Sequence, residues 1–258
     1  MVSLAGEEFL SWEVITAFVD NDSSALTADS EAEFKGIKID FGAVPMKDNA
    51  RRNLQPLFDL GYEQINASMD MAVFADLREG LLDINKLTID LQDAGSIAMS
   101  IKSNGYTESF VREFGKITSS LRKAVNSTEM QAQSMQMMAA LTMLSLIDVS
   151  LEVSDASLLK KIINLQAERL NQDPDQISAM VAPMSSIMLA PFNVPQFAAT
   201  LSTALSVFMQ GNKTIRATIE PEGGIILTEI IALTSGVRAG SVQPQAVIDR
   251  LNLKVSAE

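Results

Sequence analysis

Apolar and polar residues alternate with period two in seven segments. Ile37, Ile39 and Phe41 alternate with Lys38 and Asp40. Ile65, Ala67, Met69, Met71 and Val73 share one face, against Gln64, Asn66, Ser68 and Asp70 on the other. The same alternation recurs at Leu87–Leu91, Ile97–Ile101, Ile147–Val153, Ile215–Ile219 and Leu251–Val255. A strand's side chains point to opposite faces in turn, so each segment predicts a strand apolar on one face and wet on the other. Such strands suit an antiparallel sheet with one covered face rather than a parallel sheet buried on both. Leu82 and Ile84 have the opposite parity to Leu87 and Ile89. A bulge near Asn85–Lys86 reconciles them and curves the sheet.

The pattern changes to helical spacing after residue 107. Residues 107–144 read as one or two helices, with a break near Asn126. Asp155 is placed to cap a helix whose stripe is Leu159, Ile162, Ile163, Gln166 and Leu170. Asp173-Pro174-Asp175-Gln176 combines a cap, a proline at the first position and a glutamine three residues after the cap. Ile177, Met180, Val181, Met184, Ile187 and Met188 follow, and Pro183 is expected to kink or end that helix. Pro195 opens a further helix that Gly211 stops. Pro244 opens a short one leading into the last strand. Residues 5–19 fit both periods: Phe9, Trp12, Ile15 and Val19 share a helical face, while Trp12, Val14, Thr16 and Phe18 alternate.

These segments make an α+β protein, a curved antiparallel β-sheet with one face covered by α-helices from residues 107–144 and 155–210. The helices interrupt the strands, so residues 1–258 form a single composite domain: 1–106 mainly strands, 107–210 mainly helices, 211–258 returning strands and short helices. The length of 258 residues and a hydrophobic content of 47% provide for a core of that size. One echo stands out. Lys86–Ile97 (KLTIDLQDAGSI) and Asp148–Leu159 (DVSLEVSDASLL) match in apolar positions, in the acid at 90/152 and in Asp-Ala at 93–94/155–156. It is either a duplicated strand-plus-turn unit or a convergence of two strands in one sheet.

Charge narrows the functions. Twenty Lys+Arg against 32 Asp+Glu leave a net charge of −12. Nucleic-acid backbones and anionic membrane surfaces need clustered cations, so neither is an expected partner. The chain has no Cys and no His. That removes thiolate nucleophiles, Cys-type zinc sites and the Ser-His-Asp triad. No apolar run reaches the roughly 18 residues of a membrane helix; the longest, Met135–Ile147, is interrupted by Gln136, Thr142 and Ser145. The start, Met1–Gly6, lacks the basic region and apolar stretch of a signal peptide, and an initiating Met on a trimmed chain is the preferred reading.

Candidate chemistry is sparse. Asp20–Glu31 places oxygen ligands at positions 1, 3, 5 and 12 of an EF-hand-like loop, but Ala25 replaces the turn glycine and no exiting helix follows. A polar loop is the plainer account, and calcium stays open. Ser157-Leu158-Leu159-Lys160 has the S-x-x-K spacing of acyl-serine enzymes without its partner motifs. Asp90 and Glu152 lie on the wet face of their strands. Asn66, Asn126 and Asn212 head sequons in form only. Gly223-Gly224 reads as a turn. No cofactor is called for, and the expectation is that the protein is not an enzyme. The richer signal is apolar. Met130, Met135, Met137, Met138 and Met143 lie close together, and Met adapts to irregular apolar ligands as well as filling core gaps. Ile225–Leu233 is a second dense apolar segment that packs on the sheet or lines a groove. The expected ligand-lining set is Met69, Met71, Met99, Met135, Met138, Ile226 and Ile230.

The pattern from Leu60-Gly61-Tyr62 through Leu87–Gly95, then Asp155–Leu158, Phe208-Met209, Thr214–Ile219, Glu220-Pro221 and Leu251–Val255, resembles uncharacterised cell-envelope proteins of proteobacteria. The resemblance implies export, with a periplasmic location, and a β-rich scaffold. It carries over no functional residue. The expected function is a non-enzymatic envelope protein that binds an apolar small molecule or lipid between sheet and helices. The alternative is a structural module that meets a protein partner through a sheet edge or an apolar patch.

Overall fold

The computed structural model describes residues 2–4, 7–22, 24–42, 48–123 and 126–258. Its strands are β1 (Val2–Leu4), β2 (Glu7–Ser11), β3 (Val14–Asp22), β4 (Thr27–Asp40), β5 (Gln64–Asp76), β6 (Leu81–Leu91), β7 (Gly95–Asn104), β8 (Ser145–Asp155), β9 (Thr214–Ile219), β10 (Ile225–Ile226) and β11 (Lys254–Ala257). They form one open sheet in the order β1-β2-β4-β5-β6-β7-β8-β9-β11, with β3 also on β4 and β10 also on β8. Every ladder is antiparallel. The helices are α1 (Asp48–Asp59), α2 (Glu108–Lys123), α3 (Ser127–Leu141), α4 (Leu158–Leu170), α5 (Pro174–Leu189), α6 (Pro195–Phe208), α7 (Leu227–Arg238) and α8 (Pro244–Leu251). The fold is α+β.

Register turns the alternation of single strands into two chemically distinct faces. Ile15, Phe34, Met69, Ile89, Ile97, Val153, Ile215 and Ala257 stand opposite one another from β3 across to β11. One residue along, the row is Thr16, Glu33, Asp70, Thr88, Ala98, Glu152, Arg216 and Ser256. A slip of one residue would exchange the two faces, so the apolar face locks the register. The polar face is laced by Arg216–Glu152 (2.5 Å) and Lys86–Asp70 (3.4 Å). Both pairs are partly exposed, so each contributes at most about 1 kcal/mol.

The bulge falls where parity demands it. Ala72 faces Lys86 and Val73 faces Ile84, which leaves Asn85 without a partner on β5. The ladder to β7 shifts between Ile84 and Leu87. A second irregularity, between Phe34 and Ile37 of β4, contains Gly36 at φ +61°.

Residues 5–19, open between two periods, are extended as β2 and β3 in their described part. The strand expected at Leu251–Val255 starts later. α8 continues through Leu251, Asn252 takes a left-handed φ of 48°, and pairing begins at Lys254. The proline-initiated helix thus claims Leu251 before the strand can. Helix α5 runs through Pro183 to Leu189 instead of ending there. It packs on α6, where Ala182, Ala198 and Ala204 are buried and Ser202 Oγ donates to the Ala182 carbonyl at 3.1 Å. Small residues let the two helices approach closely, and that packing outweighs one missing backbone donor.

The break near Asn126 is real. Its side chain accepts from Glu129 N and donates to Glu129 Oε1, both at 2.8 Å, a reciprocal cap for α3. Phe110 and Ile117 of α2 bury against Ala140 of α3, with Tyr106, Phe114, Met137 and Leu144 around them. This pair packs chiefly on itself, which departs from the expected cover. Over the apolar face the described lining comes from α4 and α6. The cover is partial: Ile89, Ile97 and Leu151, in mid-sheet, remain 41%, 47% and 43% exposed. The whole chain exposes 16062 Å², against about 11,000 Å² for a compact monomer of its mass.

Candidate functional site

The site forms where β8 hands over to α4. Asp155 ends the strand, and its Oδ1 accepts from Leu159 N at 2.8 Å, satisfying a donor of the first helical turn. Its Oδ2 accepts from Asn212 N at 3.2 Å, tying in the loop before β9. The expected capping role of Asp155 is therefore present. The next three amides, of Ala156, Ser157 and Leu158, all aim at the Ala94 carbonyl at 3.0–3.3 Å. The two halves of the sequence echo thus dock on each other, Asp93-Ala94 against Asp155-Ala156.

Gly95 makes the close approach possible. It has φ +148°, and a Cβ there would lie 2.1 Å from the Ser154 carbonyl oxygen. Only glycine lets β7 start so near the end of β8. Tyr62 is buried beside this junction; its hydroxyl donates to the Asp93 carbonyl at 3.3 Å, and Lys161 Nζ sits 3.9 Å above its ring.

Between α4 and the sheet lies an apolar cavity of about 220 Å³. Ile89, Leu91, Ile97 and Val153 form its floor, Leu158, Leu159 and Ile162 its roof, and Phe208 of α6 one end. Leu159 and Ile162 of the roof belong to the stripe read from sequence; its member Ile163 is buried, as is Ala167 beside it. Ile162 and Leu170 of that stripe are exposed. The cavity opens toward the uncovered middle of the sheet through Ile89 and Ile97. A second cavity, of about 520 Å³ and of mixed polar and apolar lining, shares Asp155 and Leu159 with the first and continues along Lys160, Asn164, Asp175 and Asn212.

None of the seven residues expected to line a ligand touches the apolar cavity. Met69, Met71 and Met99 lie on the correct face, Met69 opposite Ile89, and Met71 and Met99 both opposite Leu87. Met135 and Met138 are on the exposed side of α3, whose Met137 packs on α2 instead. Ile226 is exposed at the β10–α7 junction and Ile230 is half-buried in α7. The structure brings the sheet methionines together and leaves the other four elsewhere. Of the residues missed, Leu158, Leu159 and Ile162 carried a signal in the sequence, a helix directly after a capping aspartate that ends a strand; Phe208, at the end of α6, carried none that joins it to them.

The other candidates resolve into local structure. Ser157 Oγ–H donates to the Asp93 carbonyl, so its proton is committed to a backbone acceptor rather than to Lys160. Asp20–Glu31 forms a hairpin in which Asp20 pairs with Asp29 across the strands. Asp22 accepts from Ser24 Oγ (2.7 Å), Ala25 N (3.0 Å) and Ser24 N (2.9 Å). The Ser24 hydroxyl, then these amides, hold the Asp22 carboxyl below the usual aspartate range. Among the described residues no three carboxylates converge as a metal site. Glu152 pairs with Arg216 on the polar face. Among the described residues no helix is long and apolar enough to cross a membrane.

Fold and site together define an α+β protein with an open antiparallel sheet, partial helical cover and an apolar cavity under that cover. A family described only as "Uncharacterized protein" matches residues 88–258, and the chain belongs to it. The matched span contains every residue lining the apolar cavity. No curated protein and no solved structure matches the chain.

Proposed function

We propose that this protein binds an apolar ligand between its sheet and α4, as a non-enzymatic component of the cell envelope. The observation that carries the reading is the cavity under Ile162, walled by aliphatic side chains and continuous with exposed Ile89 and Ile97. Its volume of about 220 Å³ exceeds the roughly 150 Å³ of an engineered apolar cavity that holds benzene. Ligand sites are concave and mostly apolar, and this one is both. The envelope location rests on the resemblance of the sequence alone. The test is a titration with neutral N-phenyl-1-naphthylamine followed by fluorescence. Saturable binding at one site, weakened several-fold by Ile162→Gln, is expected. A signal that does not saturate, or that ignores the substitution, rejects the reading.

A second reading, assembly through a sheet edge, is favoured by β3. All nine of its residues are exposed, with Phe18 at 57% and Val19 at 65%. It pairs on one side with β4 and on the other side with no described strand. It carries neither Lys nor Pro, the usual guards of an edge. Sedimentation equilibrium of the wild type and of Phe18→Lys tests it. A dimer that the lysine dissociates supports assembly, and a wild-type monomer at all concentrations rejects it.

A further inference from the structure

The polar cavity beside the apolar one specifies the ligand more closely. The two share Asp155 and Leu159, so they adjoin where β8 hands over to α4. Asp155 sets a carboxylate at the boundary, its two oxygens accepting from Leu159 N and Asn212 N. Beyond it, two charged side chains of opposite sign face the polar cavity: Lys160 from α4 and Asp175 from the first turn of α5. They do not pair with each other, and neither forms an ion pair with any described residue. The neighbouring Lys161 is already engaged on the Tyr62 ring. Asn164, Ser178 and Asn212 supply neutral donors and acceptors around the pair. An apolar pocket thus adjoins one that holds a cation, Lys160, apart from the carboxylate Asp175, with the amide-bound Asp155 carboxylate at the boundary between the pockets.

We infer that the ligand is an amphipathic lipid with a zwitterionic head group. Its alkyl chain lies under Ile162, and its head group lies in the polar cavity, the anionic part on Lys160 and the cationic part on Asp175. A purely anionic head would satisfy Lys160 but stand against Asp175. A purely cationic head would do the reverse. Only a head carrying both charges uses both side chains, since each free charge in a concave site gains most from its opposite. The inference rests on the proposed apolar-ligand function and adds the head-group chemistry.

The test is displacement of N-phenyl-1-naphthylamine by four single-chain probes, each below its micelle concentration: dodecylphosphocholine, dodecyl phosphate, dodecyltrimethylammonium and dodecanol. Dodecylphosphocholine is expected to be the tightest of the charged probes. Lys160→Gln is expected to weaken it and dodecyl phosphate about fivefold, the loss of one charge-assisted contact at an open position. Asp175→Asn is expected to weaken it and dodecyltrimethylammonium by a similar factor. Dodecanol is expected to respond to neither. If dodecanol displaces the dye while neither variant changes dodecylphosphocholine, the head-group inference is overturned and the apolar-ligand reading stands. If no probe displaces the dye and the dye itself does not saturate, both fall together.

Discussion

The row of apolar residues from Ile15 to Ala257 crosses the sheet in register, yet its stretch on β8 and its end on β3 have different fates. On β8, Val153 lies under α4 and is half-buried, while Ile97 and Ile89 beside it stay partly uncovered. At the β3 end, Ile15 is 50% exposed, and Val19, on the same face, is more exposed still. In the sequence these segments look alike: both alternate, and both carry β-branched residues on one face. The difference is the helix. The chain leaving β8 turns at Asp155, caps α4 and folds back over the strand it has just left. The chain joining β3 to β4 is a tight turn closed by Asp22, with no residues to spare for a cover. Alternation decides which face is apolar, and the connection decides whether that face is covered.

The comparison can be broken most severely from the covered end. Ile163, on the inner side of α4, is 8% exposed, and Ile163→Ala is expected to cost about 2–4 kcal/mol in a urea melt. A cost under about 1 kcal/mol would mean that α4 does not hold the sheet. Gly95→Ala is the next largest. A positive φ and a Cβ 2.1 Å from the Ser154 carbonyl are expected to cost at least about 2 kcal/mol. The same variant should weaken dye binding, because the β7–β8 junction floors the cavity. At the open end, Ile15→Ala is expected to change stability by no more than about 0.5 kcal/mol; a core-sized loss there would show that β3 is buried in solution, by a second copy or another chain.

The smallest effect concerns pH. Asp22 has a lowered pKa in the folded hairpin, so its contribution is fully present above the ordinary aspartate range. It is lost as pH falls through the lowered value. Asp22→Asn is expected to loosen the turn at neutral pH, and the difference from wild type should shrink below about pH 4. Hydrogen exchange at the Ser24 and Ala25 amides reads this directly; a difference that grows with acid would contradict the assignment.

Much of the architecture was legible because it rests on local rules. The parity change between Ile84 and Leu87 required a bulge, and Asn85 is that bulge. Asn126, Asp155 and Asp173 announced helix starts, and each side chain accepts a backbone N–H of the helix it opens. The site was legible only in part. Met69, Met71 and Met99 were placed on the right face. Met135 and Met138 were not placed near it, because a methionine-rich helix with apolar residues on most sides gives no stripe that says which side meets the sheet. Its neighbour α2 took Met137 instead. Leu158 and Phe208, 50 residues apart in the chain, share a cavity wall through the return of α6 to the start of α4, a contact no local pattern encodes.

What the sequence by itself determined is the central strands, their apolar face, the caps, the bulge and the exclusion of thiol and imidazole chemistry. Each follows from side-chain parity, from backbone donors at helix ends or from residues simply present or missing. Only the tertiary structure decided which part of the apolar face is covered, where the cavity lies, and that Lys160 and Asp175 share a pocket without pairing. Those depend on where helices land after a turn, and a packing interface is selected by the fit of two surfaces distant in the chain rather than by the period of either one.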